Sequence, residues 1–245
     1  MILENGFIER QLPIPGQDIR RKFKGVGGGL NMACAELLSE DQLKKYLDCI
    51  ENNFADGLAL FPMDREIVYT TFNEHSAHSV YLRLGKWKKA FAALRTSLCC
   101  AVAKDTWLVS ERFSKVERAY TPWQPNGSGS GRIMDMILNS VCFELTPDSL
   151  LLLGGMPFDI LKRNGMTELK ELHTQKGRLS LRAEVADNQV LLNLVFSSED
   201  SVPGKIVFPD FFTAMTDDAG KTEYSNVFTS RKGKTGYMFT LKPTE

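Results

Sequence analysis

Apolar residues return every three or four positions through "SEDQLKKYLDCIENNF", which predicts a helix. Ser39 suits its N-cap, Glu40 and Asp41 favour the positive end of the helix dipole, and Leu43, Tyr46, Leu47, Ile50 and Phe54 share one face. Asp56-Gly57 ends the run, and a shorter helix over 30–38 precedes it. The pattern then changes to β-branched and aromatic runs at 57–61, 66–72 and 78–84, parted by "PMDR" and "NEHSA". This predicts three strands of an antiparallel meander. "GKWKKAFAALRTSLCCAVA" restores helical spacing through Trp87, Phe91, Leu94 and Leu98, and 106–113 follows as a strand.

The second half opens on "RIMDMILNSVCFEL", whose apolar positions fit a helix or a strand. Thr146-Pro147-Asp148 has the order of a helix start, and Gly154-Gly155 would stop that helix after Leu153. Short helices are expected at 157–163 and 167–174, around Asn164-Gly165. From Gly177 the chain turns β-rich: "RLSLRAEV" and "QVLLNLVF" flank Ala186-Asp187-Asn188 as a hairpin, and "GKIVF" adds a strand. "PDFFTAMTDD" is expected as a short helix, and "EYSNVFTS" and "TGYMFTL" as a closing hairpin over "RKGK". The expected fold class is α+β, with antiparallel meanders packed against helices.

The two halves echo each other. "LALFPMDREIVYTTFNEHSAHSVYLRLGKWKKAFAAL" and "LSLRAEVADNQVLLNLVFSSEDSVPGKIVFPDFFTAM" both predict strand, turn, strand, turn, strand, helix at equal spacing. Two similar halves are therefore expected, as from a duplication. Between them stands "NGSGSG". Gly-Ser alternation is the composition of a flexible linker, and so regular a run is read as an engineered loop replacement. The expected organisation is an irregular arm at 1–29, a first half at 30–125, the linker at 126–131 and a second half at 132–245.

Composition narrows the classes. Neither half differs from neutrality by more than two charges, so recognition of nucleic acid through bulk charge is not expected. No apolar run reaches eighteen residues, so no membrane span is expected, and the first ten residues carry charges unlike a secretory signal. The cysteine number is odd, five, and Cys-x-x-Cys is absent, which points to a reducing, intracellular compartment, cytoplasmic or nuclear.

Candidate chemistry is sparse. His75 and His78, beside Glu74, have a spacing that could serve a metal from a helix, but they fall in a predicted turn without further ligands, so no metal site is expected. Gly25 to Gly29 lack the Walker and Rossmann patterns, and no Ser/His/Asp set is visible. No catalytic residue and no cofactor is expected. The best basic patches are Arg20, Arg21, Lys22 and Lys24 in the arm, Lys86, Lys88 and Lys89 around Trp87, and Arg231, Lys232 and Lys234 in the last hairpin. Such patches would meet phosphate or an acidic partner segment.

The leading expectation is a non-enzymatic interaction or scaffold subunit of a larger assembly, with a protein partner. A second follows from a likeness: "DGLALFPMDREIVYTTF" and "GRLSLRAEVADNQVLLNLVF" resemble repeats of the sliding-clamp family over roughly thirty residues in each half. The resemblance implies a ring or arc around DNA, although the segment 146–175 and the balanced charge depart from that family. A third is an enzyme with its site between the halves, using His75, His78 or Glu74.

Overall fold

The computed structural model describes residues 38–51, 54–55, 58–63, 66–103, 105–110, 112–114, 119–120 and 125–243. The helix expected at 30–38 and the basic arm lie almost wholly outside them. The fold is mixed α+β. The chain divides into two compact units, Met1–Ile137 and Leu138–Glu245.

In the first unit the order is α1 (Glu40–Glu51), β1 (Phe54–Ala55), β2 (Leu58–Met63), β3 (Glu66–Thr70), α2 (Thr71–Arg83), α3 (Trp87–Ala101), β4 (Arg112–Ser114), β5 (Ala119–Tyr120) and the start of α4 (Gly127–Val141). The strands form an antiparallel sheet in the order β1-β2-β3-β4-β5. α1 begins as its sequence requires. Ser39 N–H donates to Gln42 Oε1 at 2.9 Å and Gln42 N–H donates to Ser39 Oγ at 3.3 Å, a reciprocal cap. Leu43, Tyr46 and Leu47 are buried on one face.

The strand expected at 78–84 is a helix. "NEHSAHSVYLR" contains only one β-branched residue, Val80, and it lies within α2. Ser76, Ala77, His78, Ser79, Val80, Tyr81 and Leu82 are all buried, so the helix has no polar face to give it a readable period. Gly85, at φ 67°, separates α2 from α3 in the left-handed region that favours glycine.

The Gly-Ser run is also helical. Asn126 is the cap: its Oδ1 accepts from Gly129 N–H, and its carbonyl accepts from Ser130 Oγ at 3.1 Å. A Cβ on Gly129 would stand 2.8 Å from Val109 Cγ1, so a close neighbour accounts for that glycine. Asn126→Ala should cost about 1 kcal/mol through loss of the cap, read as a lower urea midpoint by tryptophan emission. An unchanged midpoint would mean that the Gly-Ser turn contributes nothing to the fold.

The second unit contains β6 (Cys142–Thr146), β7 (Ser149–Leu152), α5 (Phe158–Asn164), β8 (Met166–Thr174), β9 (Gly177–Ala186), β10 (Gln189–Phe196), a 3-10 turn at Glu199–Ser201, β11 (Lys205–Val207), β12 (Phe212–Asp217), β13 (Thr222–Glu223), β14 (Val227–Thr229) and β15 (Gly236–Pro243). One sheet is antiparallel with six strands, β13-β12-β15-β10-β9-β8. The other has four, β14-β11-β7-β6, with β7 and β11 parallel. Their inward residues share one core, which includes Leu150, Leu152, Leu181, Leu194, Ile206, Phe228 and Phe239.

Several local expectations change here for identifiable reasons. Thr146-Pro147-Asp148 starts no helix; it turns β6 into β7. Thr146 Oγ1 accepts from Asp148 N–H at 3.2 Å and bonds Ser149 Oγ at 2.8 Å, since the residues that cap helices also close turns. Segments 167–174 and 212–217 are strands. Each carries a bulge, between Leu169 and Leu172 and between Phe212 and Ala214. The irregularity brings Leu169 and Leu172, and Phe212 and Met215, to the core three residues apart, which imitates helical spacing. The expected closing hairpin is absent because β14 pairs with β11 and β15 with β10 and β12, in different sheets. The hairpin at 186–188 forms as expected, with Asp187 and Asn188 at φ 48° and 58°. The echo between the halves does not extend to like elements: α2 and α3 stand where the second segment has strands.

Candidate functional site

The chemistry-bearing residues of the first unit gather on α2. His75 Nε2 meets Asp135 Oδ2 of α4 at 2.6 Å, and Glu74 and His78 are fully buried. Burial drives the His78 imidazole down to about 3, with help from the nearby His75 and against the pull of Asp135. Tyr81 Oη donates to Glu51 Oε1 at 2.7 Å, and Lys89 Nζ bonds both Glu51 oxygens at 2.8 and 3.0 Å. Burial raises Glu51, but the bonds from Lys89 and Tyr81 prevail and hold it below the usual carboxylate range. Burial, then Glu51, pushes Tyr81 up. These bonds tie α1, α2, α3 and α4 together through polar side chains. Among the described residues no three His, Cys, Asp or Glu side chains converge as a metal site. Cys142 is buried, its thiol pushed up to about 12, and it is chemically quiet as a nucleophile.

The basic residues divide. Arg20, Arg21, Lys22 and Lys24 lie outside the described residues. Lys86 is half-buried, Lys88 is exposed, and Lys89 is engaged by Glu51. Arg231 bonds Asp217 and also reaches Asp218 at 3.4 Å, while Lys234 bonds Asp218; Lys232 is exposed. Tyr237 Oη joins this loop, accepting from Arg231 N–H at 3.0 Å and lying 3.1 Å from the carbonyls of Arg231 and Lys234. Burial would raise the Asp217 carboxyl, yet the N–H groups of Lys221 and Ala219 and the Arg231 guanidinium hold it low. Much of the positive charge at this tip therefore answers the chain's own carboxylates.

The outer face of the six-stranded sheet is different. Strand period places Leu191, Asn193 and Val195 of β10 outward while Val190, Leu192, Leu194 and Phe196 point into the core. Leu191 is 44% exposed, Val195 51% and, on β15, Met238 59%. Met238 pairs with Asn193, so it stands diagonal to both Leu191 and Val195, within side-chain reach. An open depression of about 310 Å³ adjoins Val195, lined also by Glu168, Lys170, Ser180, Arg182 and Asn193. The β8 bulge shapes it. Glu171 takes φ 55° there, and its N–H donates to Ser180 Oγ at 3.1 Å. Three ion pairs lie across this side: Lys170–Glu168 at 3.2 Å, Arg178–Glu171 at 2.7 Å and Arg182–Glu184.

None of these residues was singled out by motif. The signal was present in the strand itself. "RLSLRAEV" alternates, as a half-buried strand does, whereas "QVLLNLVF" is apolar at both parities. A strand of the second kind ordinarily has both faces covered.

The sandwich with its open apolar face defines an α+β protein with a candidate docking surface. No known family model matches the chain, and no curated protein is recognisably similar to it in sequence. Among the described residues no helix is long and apolar enough to cross a membrane.

Proposed function

We propose that this chain is a binding component, a non-enzymatic subunit that takes a protein partner on the outer face of its six-stranded sheet. The observation that carries this reading is the contiguous, solvent-exposed set Leu191, Val195 and Met238 in the middle of a sheet face. Exposed apolar clusters rimmed by polar residues mark interaction sites on soluble domains. Burying them would remove apolar surface from water at about 25 cal/mol per Å².

The test compares the wild type with a Val195→Glu/Met238→Lys double variant in quantitative affinity purification from source cells. A specific co-purifying protein should be retained by the wild type and by Tyr224→Ser, an exposed-residue control. The double variant should lose it at least tenfold while keeping its circular dichroism and melting temperature. Equal recovery by the double variant would remove this face as the docking site.

A further inference from the structure

We infer that the outer face of the six-stranded sheet binds a second copy of this chain, around a two-fold axis parallel to the strands and passing between β10 and β15. This deepens the binding reading above by naming the partner.

The face is graded from one edge to the other. On β8 and β9 its outward residues are mostly long and charged, Glu168, Arg178, Arg182 and Glu184, with Met166 and Ser180 among them. On β10 they are the apolar Leu191 and Val195 on either side of Asn193, with Met238 beside it. Towards the opposite edge most become short: Gly236 and Thr240 on β15, Ala214 and Thr216 on β12, and Thr222 on β13, with Lys242 at the end of β15 the long, charged exception. A two-fold axis along the strands lays each side over the other side of its mate. The long side chains of β9 then cover the short ones of β12. The pairings β10 with β15 set the detail: Val195 pairs with Gly236, and Leu191 with Thr240. Across the axis Val195 would therefore seat over the mate's Gly236, a position without a side chain. An axis perpendicular to the strands would instead set β9 against β9 and bring Arg182 towards its own copy.

Charge points the same way. Three basic and three acidic side chains on the β8–β9 side already pair with one another, so that side of the face is balanced. It offers little complement to a strongly charged partner and suits a surface as balanced as itself. Area is sufficient. Six strands at about 4.8 Å spacing and eight residues at about 3.3 Å rise give roughly 600 Å² per copy, at the low end of stable interfaces. Two such faces would pack aligned, as sheets in a sandwich do. In an isologous contact of this kind each element meets its counterpart reciprocally.

Sedimentation equilibrium on the full chain, over a range from low to high micromolar concentration, tests it. The wild type should approach the mass of two chains. Val195→Glu alone and Val195→Lys alone should each be folded and dissociate at least tenfold more readily. Mixed together they should recover a dimer, because the two copies of position 195 stand one strand apart across the axis. Met238→Glu is the second variant should position 195 disturb folding, and it should also dissociate. A wild type that stays monomeric throughout overturns the inference, as does a dimer that both variants leave intact. A monomer whose face nonetheless captures another protein overturns the second copy and leaves the binding reading standing. A monomer that captures nothing through this face removes both.

Discussion

Phe239→Ala should destabilise the second unit by about 3–5 kcal/mol, the range for truncating a buried aromatic side chain. Phe239 is 2% exposed and lies between both sheets' core residues. Its ring meets Phe208 at 5.4 Å and Phe228 at 5.0 Å, both edge-on, and stacks on Tyr237 at 6.1 Å. Phe228 belongs to β14 of the four-stranded sheet and Phe208 directly follows its β11, so the alanine would open a cavity at the point where the two layers interlock. The measurement is hydrogen exchange at the β10 and β15 amides, because all three tryptophans precede the second unit and report elsewhere. Met238→Ala, one residue away and 59% exposed, should change the same amides' protection by less than about 0.5 kcal/mol when both variants are measured at a dilution that keeps the chain as a single copy. Equal losses at 238 and 239 would mean that the inward and outward assignment of β15 is wrong.

Acid should undo the first unit through His78. Its folded pKa, about 3, lies below the ordinary imidazole value of 6.5, so the unfolded chain binds the extra proton first. Stability contributed by keeping this imidazole neutral is complete above 6.5 and falls as pH drops from there towards 3. The slope is about 1.4 kcal/mol per pH unit for one proton. The carboxylates Glu51, Asp148 and Asp217, held low by their partners, contribute stability that is lost only as pH falls past their ordinary values, near 4. Urea midpoints followed by tryptophan emission between pH 7.5 and 4.5 therefore isolate the histidine contribution. His78→Gln should flatten the wild-type decline by that slope, although it is less stable at pH 7. Parallel profiles for the two proteins would show that His78 is not held neutral by burial.

The same histidine illustrates what was legible beforehand. His75 and His78 stood out as a pair with Glu74, and the residue types were right for a polar cluster. Their setting was not readable, because a helix buried all round has no amphipathic period to declare it. Asp135, the partner of His75, lies sixty positions along the chain, and no local pattern links the two. The exposed apolar face of the six-stranded sheet was hidden for a related reason. Apolar residues at both parities of β10 say that both sides prefer cover, but which parity faces the core depends on the sheet's partners. The basic residues Arg231 and Lys234 were visible as a patch, while the aspartates that engage them, Asp217 and Asp218, come from a different turn.

The sequence by itself determined those features whose physics is local. The capped start of α1 at Ser39, the helix after Gly85, the tight turn at Asp187-Asn188 and the mixed α+β class all follow from hydrogen bonds and dihedral preferences within a few residues. The tertiary structure alone decided the identity of α2, the bulged strands β8 and β12, the separation of β14 and β15 into different sheets, and the meeting of His75 with Asp135. In each of these, burial against distant residues outweighs local preference by more than the few tenths of a kcal/mol per residue that propensity supplies.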